Sequence, residues 1–122
     1  MVIIKTKILD PVNALALQYV KDAVGNIQIG DDNTTPTEGD SAIGNLINTL
    51  PIESLDESTP NKLIYTASVG ITQNNGETVK EITLSNTAGT EIYTHHLTIP
   101  EVKGSDEILW FQVEVETTTI NK

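Results

Sequence analysis

Residues 62–72, KLIYTASVGIT, alternate: Leu63, Tyr65, Ala67, Val69 and Ile71 fall on one side of an extended chain, mostly polar or small residues on the other. A repeat of two marks a strand with one face in a core, because successive side chains of an extended chain point to opposite faces. Near the far end, Leu109, Phe111, Val113 and Val115 alternate with Gln112, Glu114 and Glu116 in the same way, so residues 107–119 read as a closing strand. Between the two lies Asn75-Gly76, the pair that best tolerates the positive φ angles of a tight hairpin turn. Residues 78–86 read as the returning strand; their pattern changes face between Val79 and Ile82, which predicts a bulge near Lys80 and Glu81. A turn at 87–90, a strand at 91–99 with Tyr93, His95, Leu97 and Ile99 on one face, and a polar reversal at 100–106 complete the series. Four successive strands with short turns predict an antiparallel meander whose oily side needs a roof.

The front half must supply that roof. Residues 2–9, VIIKTKIL, are β-branched and apolar and read as a short strand. Asp10-Pro11 is a helix-start pair, and Leu17, Val20 and Val24, with Ala16 and Ala23, recur at helical spacing, so a helix is expected over 11–24 with Gly25 as a left-handed cap. Residues 27–29 read as a strand, 30–40 as a long polar loop, 41–50 as a turn of helix leading into an extended segment, and 51–61 as a second loop. The expected fold is mainly β, an antiparallel β-sandwich with one N-terminal helix, formed by residues 1–122 as a single domain.

Composition narrows the function. The 122 residues carry 17 acidic against 7 basic side chains, a formal charge of −10, and every cation is Lys. Nucleic-acid backbones and anionic membranes need clustered cations, so no nucleic acid and no membrane are expected as partners. No apolar run reaches the roughly 18 residues of a membrane helix, and residues 1–5, MVIIK, lack the pattern of a signal peptide. With no cysteine, disulfides, thiolate metal sites and thiol nucleophiles are excluded.

Motifs for chemistry are weak. His95 and His96 are adjacent on a strand and so face opposite ways, which discourages a shared metal ion. The acidic stretch containing Asp31, Asp32, Glu38 and Asp40 fails the calcium-loop spacing: counted from Asp31, the sixth position is Pro36 and the twelfth Ala42. Glu77, Glu81, Glu91, Glu114 and Glu116 could supply a carboxylate pair, with Glu114 and Glu116 sharing a strand face, but no substrate-binding aromatics accompany them. No Gly-x-Ser-x-Gly and no phosphate loop occur. No catalytic, cofactor-binding or metal residue is therefore assigned, and the chain is read as no enzyme. The residue singled out is Trp110, which lies opposite in phase to Phe111, so that with Phe111 inside, Trp110 and Ile108 face the other way. Trp110 is the candidate interface anchor.

Two stretches carry a resemblance. Residues 29–45, IGDDNTTPTEGDSAIGN, resemble the Ile/Val-Gly-x-Gly-x-Thr-x-Pro-x-x-x-Asp-x-Ala-Leu-Gly-Asn segment of small tailed-bacteriophage virion proteins, with Asp32 where that pattern often has Gly and Ile43 where it has Leu. Residues 75–86, NGETVKEITLSN, followed by 110–115, WFQVEV, are similar to the Asn-Gly-x-x-Ile-x-Glu-x-Gly-Leu-Phe-Asn hairpin and final strand of the same group; Val79, Thr83 and Ser85 depart from it. The resemblance implies a non-enzymatic structural protein on the exterior of a virion. Its partners would be major capsid or tail proteins and further copies of itself as a homo-oligomer, without cofactors. The length leaves no room for a fibre shaft, which favours a capsid decoration subunit; the alternative is a tail-fibre or baseplate component that meets a host receptor or glycan.

Overall fold

The computed structural model describes residues 2–9, 13–34, 43–59, 62–88 and 91–118. Along the chain run β1 (Val2–Leu9), α1 (Asn13–Ala23), β2 (Asn26–Gly30), β3 (Leu46–Pro51), β4 (Ser54–Asp56), β5 (Lys62–Val69), β6 (Thr78–Ser85), β7 (Glu91–Val102) and β8 (Leu109–Thr118). They form two four-stranded sheets, β1-β8-β5-β4 and β3-β2-β6-β7, packed face to face. The expected β-sandwich with a short N-terminal helix is the fold.

The order of strands is not a meander. β5 and β6 lie in different sheets, so the Asn75-Gly76 stretch does not close a hairpin; residues 70–77 cross from one layer to the other. The gap between packed sheets is about 10 Å, more than a two-residue turn can span. The turn chemistry is nevertheless used: Asn74 and Gly76 have φ of 53° and 81°. Of the later strands only β6 and β7 are hairpin partners, while β8 inserts between β5 and β1. β1 runs parallel to β8, Val2 opposite Phe111, a pairing that places nearly the whole chain between the two strands. The front half is thus not a roof over the back half. Each layer mixes strands from both.

Periodicity was the reliable signal. Leu63, Tyr65, Ala67 and Val69 of β5 and Leu109, Phe111, Val113 and Val115 of β8 are all buried, against Ile27, Ile29, Leu50, Val79, Ile82 and Leu84 of the other sheet. Each fully buried aliphatic or aromatic side chain contributes roughly 1.5–3 kcal/mol relative to exposure. Ile71 lies beyond the end of β5 and is half exposed. The bulge falls where the phase change placed it, with a register shift between Val79 and Glu81.

Other local expectations are corrected. Gly25 does not adopt a left-handed conformation. Its N–H instead donates to Ser85 O at 2.8 Å, and a Cβ there would meet Thr87 Cγ2 at 2.9 Å, so close approach explains the glycine. Residues 43–45 show no helical turn, and a three-residue strand, β4, sits within the expected 51–61 loop. β7 runs through Pro100 to Val102, where a reversal was expected. Proline is tolerated there because β7 is an edge strand, with one side free of ladder bonds. Helix α1 docks through Val20, buried in the core, and Val20 O accepts the Tyr65 hydroxyl at 3.4 Å. Burial pushes the Tyr65 phenol up to about 12.

One staple was invisible in the sequence. Lys103 is 1 % exposed, and its ammonium donates to Ile71 O at 3.3 Å, Asn75 Oδ1 at 2.8 Å and Gly104 O at 2.6 Å. Its backbone pairs with the same loop: Lys103 N donates to Glu77 O, and Gly76 N to Lys103 O, both at 2.9 Å. The side chain therefore ties the β5–β6 crossing to the β7–β8 reversal. Lys103→Met keeps the aliphatic stem and removes the donors, stranding polar groups in a buried site. The expected loss is about 2 kcal/mol in urea unfolding, with amide protection falling in both loops; an unchanged midpoint would mean the ammonium contributes nothing.

Candidate interaction surface

Strand alternation decides what faces outward on sheet β1-β8-β5-β4. With Phe111 at 0 % exposure, Trp110 is on the other face at 39 % and Ile108 at 46 %. β1 adds Ile3, exposed at 49 % and in register with Gln112, one step diagonally from Trp110. Three large apolar side chains thus form an exposed strip at one end of this face. The expectation that Trp110 points away from Phe111 agrees with this geometry; Ile3 had no mark in the sequence, because its position depends on the parallel pairing with β8.

Charge on the same face is nearly balanced. Lys5 Nζ lies 3.7 Å from Glu114 Oε2, and Lys62 Nζ lies 4.0 Å from Glu116 Oε2, pairs set side by side by strand register. Gln112 Nε2 also donates to Glu114 Oε1 at 3.1 Å. The pair of glutamates read from the sequence as a candidate acid–base couple is held in cross-strand contacts, each beside a lysine. Glu114 is buried while its partner Lys5 is exposed, and the Lys62–Glu116 pair is partly exposed; solvent-screened pairs of the latter kind add little stability. Their consequence is that a molecule of formal charge −10 carries one sheet face where like-charge repulsion is weak.

Those of the other carboxylates singled out earlier whose side chains are described are also engaged. Glu81, fully buried in the bulge of β6, accepts three backbone N–H groups: Asp32 N at 2.8 Å and Asn45 N at 2.9 Å on Oε2, and Gly44 N at 2.8 Å on Oε1. It gathers both sides of the base of the acidic loop. Gly30 is required beside it, since a Cβ there would lie 2.5 Å from Glu81 Oε2. Asp31 accepts the Asn45 side-chain amide and Asp32 caps Thr34 N at 2.8 Å, so both acids serve the loop. Glu38 and Asp40 lie outside the described residues, as does the Glu91 side chain. Glu77 accepts Asn74 Nδ2 at 2.8 Å. In the pairing of β7 with β6, His95 stands opposite Thr83 and His96 opposite Ile82. Among the described residues no group of three or more potential ligands is arranged to hold a metal ion, and no helix is long and apolar enough to cross a membrane.

Where the short β4 leaves the end of β5 uncovered, a cleft of about 410 Å³ opens between β5 and β3. Its lining, including Asn48, Glu53, Ser68 and Gln73, carried no motif in the sequence, because β3 and β5 meet only through the sandwich. No protein-family model matches the chain, and no curated protein matches it.

Proposed function

We propose that this chain is a non-enzymatic structural subunit on the exterior of a tailed-bacteriophage particle, acting as a capsid decoration protein in a symmetric homo-oligomer. The observation that carries the reading is the exposed strip of Ile3, Ile108 and Trp110 on a nearly charge-balanced sheet face. Exposed aromatic and aliphatic side chains presented by a rigid sheet suit docking, and interface energy concentrates in such anchors. Repeating shells present the same contact many times, which favours closed symmetric assemblies. The motif resemblance at residues 29–45 and 75–86 supports the same reading.

Mass spectrometry of purified particles tests it. On the order of hundreds of copies per particle fits a shell decoration, as shell symmetry requires; a few copies per particle fits the tail-tip alternative, and none refutes both. Trp110→Ala sharpens the test. At this half-exposed position the isolated domain is expected to lose no more than about 1 kcal/mol. Incorporation into particles is expected to fall by roughly thirtyfold, the consequence of losing a hot-spot anchor. Unchanged incorporation would remove Trp110 from the interface. The cleft at the β3 and β5 edge favours the second reading, a tail-fibre or baseplate component that meets a receptor or glycan.

A further inference from the structure

β1 and β4 are the two edges of one sheet, and among the described residues neither has a strand on its outer side. An open edge presents unpaired backbone N–H and C=O groups, a template for a further strand. The two edges also run the same way. β8 is parallel to β1 and antiparallel to β5, and β4 is antiparallel to β5, so β4 points along β1. A second copy set alongside in the same orientation brings its β1 against β4 as a parallel pair, and the sheet continues from one copy into the next.

Charge distinguishes the edges. β1 contains Lys5 and Lys7 and no acid, whereas residues 53–57, ESLDE, contain three acids and no cation. Pairing like edges would set lysines against lysines or acids against acids, which destabilises a sheet. Register puts the complementary charges on one line. Lys5 stands opposite Glu114, Glu114 opposite Ile64, and Ile64 opposite Asp56, a row that crosses all four strands. The adjacent row, Ile4, Val113, Tyr65 and Leu55, faces the core, so the Lys5 row faces outward. It starts with a cation at one edge and ends with an anion at the other. The Lys5 side chain is 68 % exposed and is free to reach a second carboxylate besides Glu114. Asp56 is exposed and accepts Ser58 N at 2.8 Å and Ser58 Oγ at 2.6 Å; among the described residues it is in no ion pair. One more strand in the row sets Lys5 of the next copy beside Asp56.

We infer that copies of this chain associate head to tail, β1 of one pairing with β4 of the next and Lys5 of one meeting Asp56 of the other. Such a contact leaves a free β1 and a free β4 after every addition, so growth ends only when a ring closes. The inference rests on the homo-oligomer of the proposed function and supplies its interface. It leaves the strip of Ile3, Ile108 and Trp110 on the sheet face, available to the shell.

Analytical ultracentrifugation of the full chain tests it, at concentrations up to about 1 mM, where millimolar contacts register. Species of three or more copies are expected. A chain that stays monomeric overturns the inference, and so does a dimer that grows no further, because its two outer edges would still be open. Lys5→Gln and Asp56→Asn remove one charge each and keep the side-chain shape. Each should weaken association by roughly fivefold per contact, the upper end for an exposed ion pair. The double variant should also lose roughly fivefold, since both changes remove one interaction. Undiminished association in either variant, or a loss of about twenty-fivefold in the double variant, would show that the two residues do not meet. In a molecule of charge −10, removing an acid by itself favours association, so a loss in Asp56→Asn is specific to the pair. Asp106→Asn, exposed between β7 and β8, should associate at least as well as the unaltered chain. Unfolding midpoints check that each variant keeps its fold. A monomer in solution would remove this interface and leave the Trp110 strip as a docking surface; particles without the chain would remove the virion role and leave this interface standing.

Discussion

Glu81→Ala is expected to lower the unfolding free energy by about 3–5 kcal/mol, among the largest losses available to a single substitution here. The carboxylate receives three backbone N–H groups from residues 32, 44 and 45. A hydrogen bond to a charged group contributes about 1.5–3 kcal/mol, and each stranded buried donor adds a desolvation cost. Burying the charge opposes these gains, so the net lies below their simple sum. Truncation also leaves a void beside Gly30, whose missing side chain exists to admit the carboxylate. Glu81→Gln preserves the shape but turns an NH₂ towards backbone donors, and about half the loss should remain. Urea unfolding monitored by circular dichroism measures both. A loss under about 1 kcal/mol for the alanine variant would show that the loop base holds without its clamp.

Phe111→Ala is the second large effect. The ring is fully buried near the start of β8, between Val2 of β1 and Ala67 of β5. The methyl of Ala67 leaves room for it, so large and small side chains interlock across the sheet. Removing a buried phenyl costs about 3–5 kcal/mol, from lost transfer energy and the cavity left behind. The adjacent Trp110 is larger but half exposed, and its truncation should cost the isolated domain far less. Parallel unfolding curves of the two variants read the alternation of β8 as a difference in energy. Similar losses at both positions would mean that the outward face is covered and unfit for docking.

The contrast between these positions shows where sequence reading succeeds. Alternation is a property of neighbouring residues, so the inward faces of β5 and β8, the outward Trp110 and the bulge before Glu81 were all legible. Sheet membership is not local. Asn75-Gly76 announced a turn correctly, yet whether the turn folds back within one sheet or crosses to the other depends on which strand β5 finds as its neighbour; that neighbour is β8, about forty residues on. The same dependence hid the place of β1, a strand legible at residues 2–9 that joins β8 instead of covering it, and with it the place of Ile3 in the exposed strip. β4 was missed because three residues carry too little periodicity to detect.

Candidate sites divide along the same line. Trp110 was legible because its phase against Phe111 sits within one strand. Glu81 stood among the acids considered for catalysis, and nothing local distinguished it from exposed Glu77; its burial follows from the loop base folding over the bulge. Lys103 reads in sequence as a solvated turn lysine, since its three acceptors come from the β5–β6 crossing and from its own neighbour. The cleft is a gap between two layers, and a gap has no sequence pattern.

The proposed role as a shell decoration turns on one sheet face acting as the docking surface. A cryo-electron microscopy reconstruction of the particle, at a resolution that traces side chains, tests this most directly. The account predicts density for this chain on the outside of the shell, with Trp110, Ile108 and Ile3 buried against a neighbouring subunit. Density in which the chain contacts its neighbours through other surfaces and leaves Trp110 in solvent, or particles that lack the chain altogether, would contradict it.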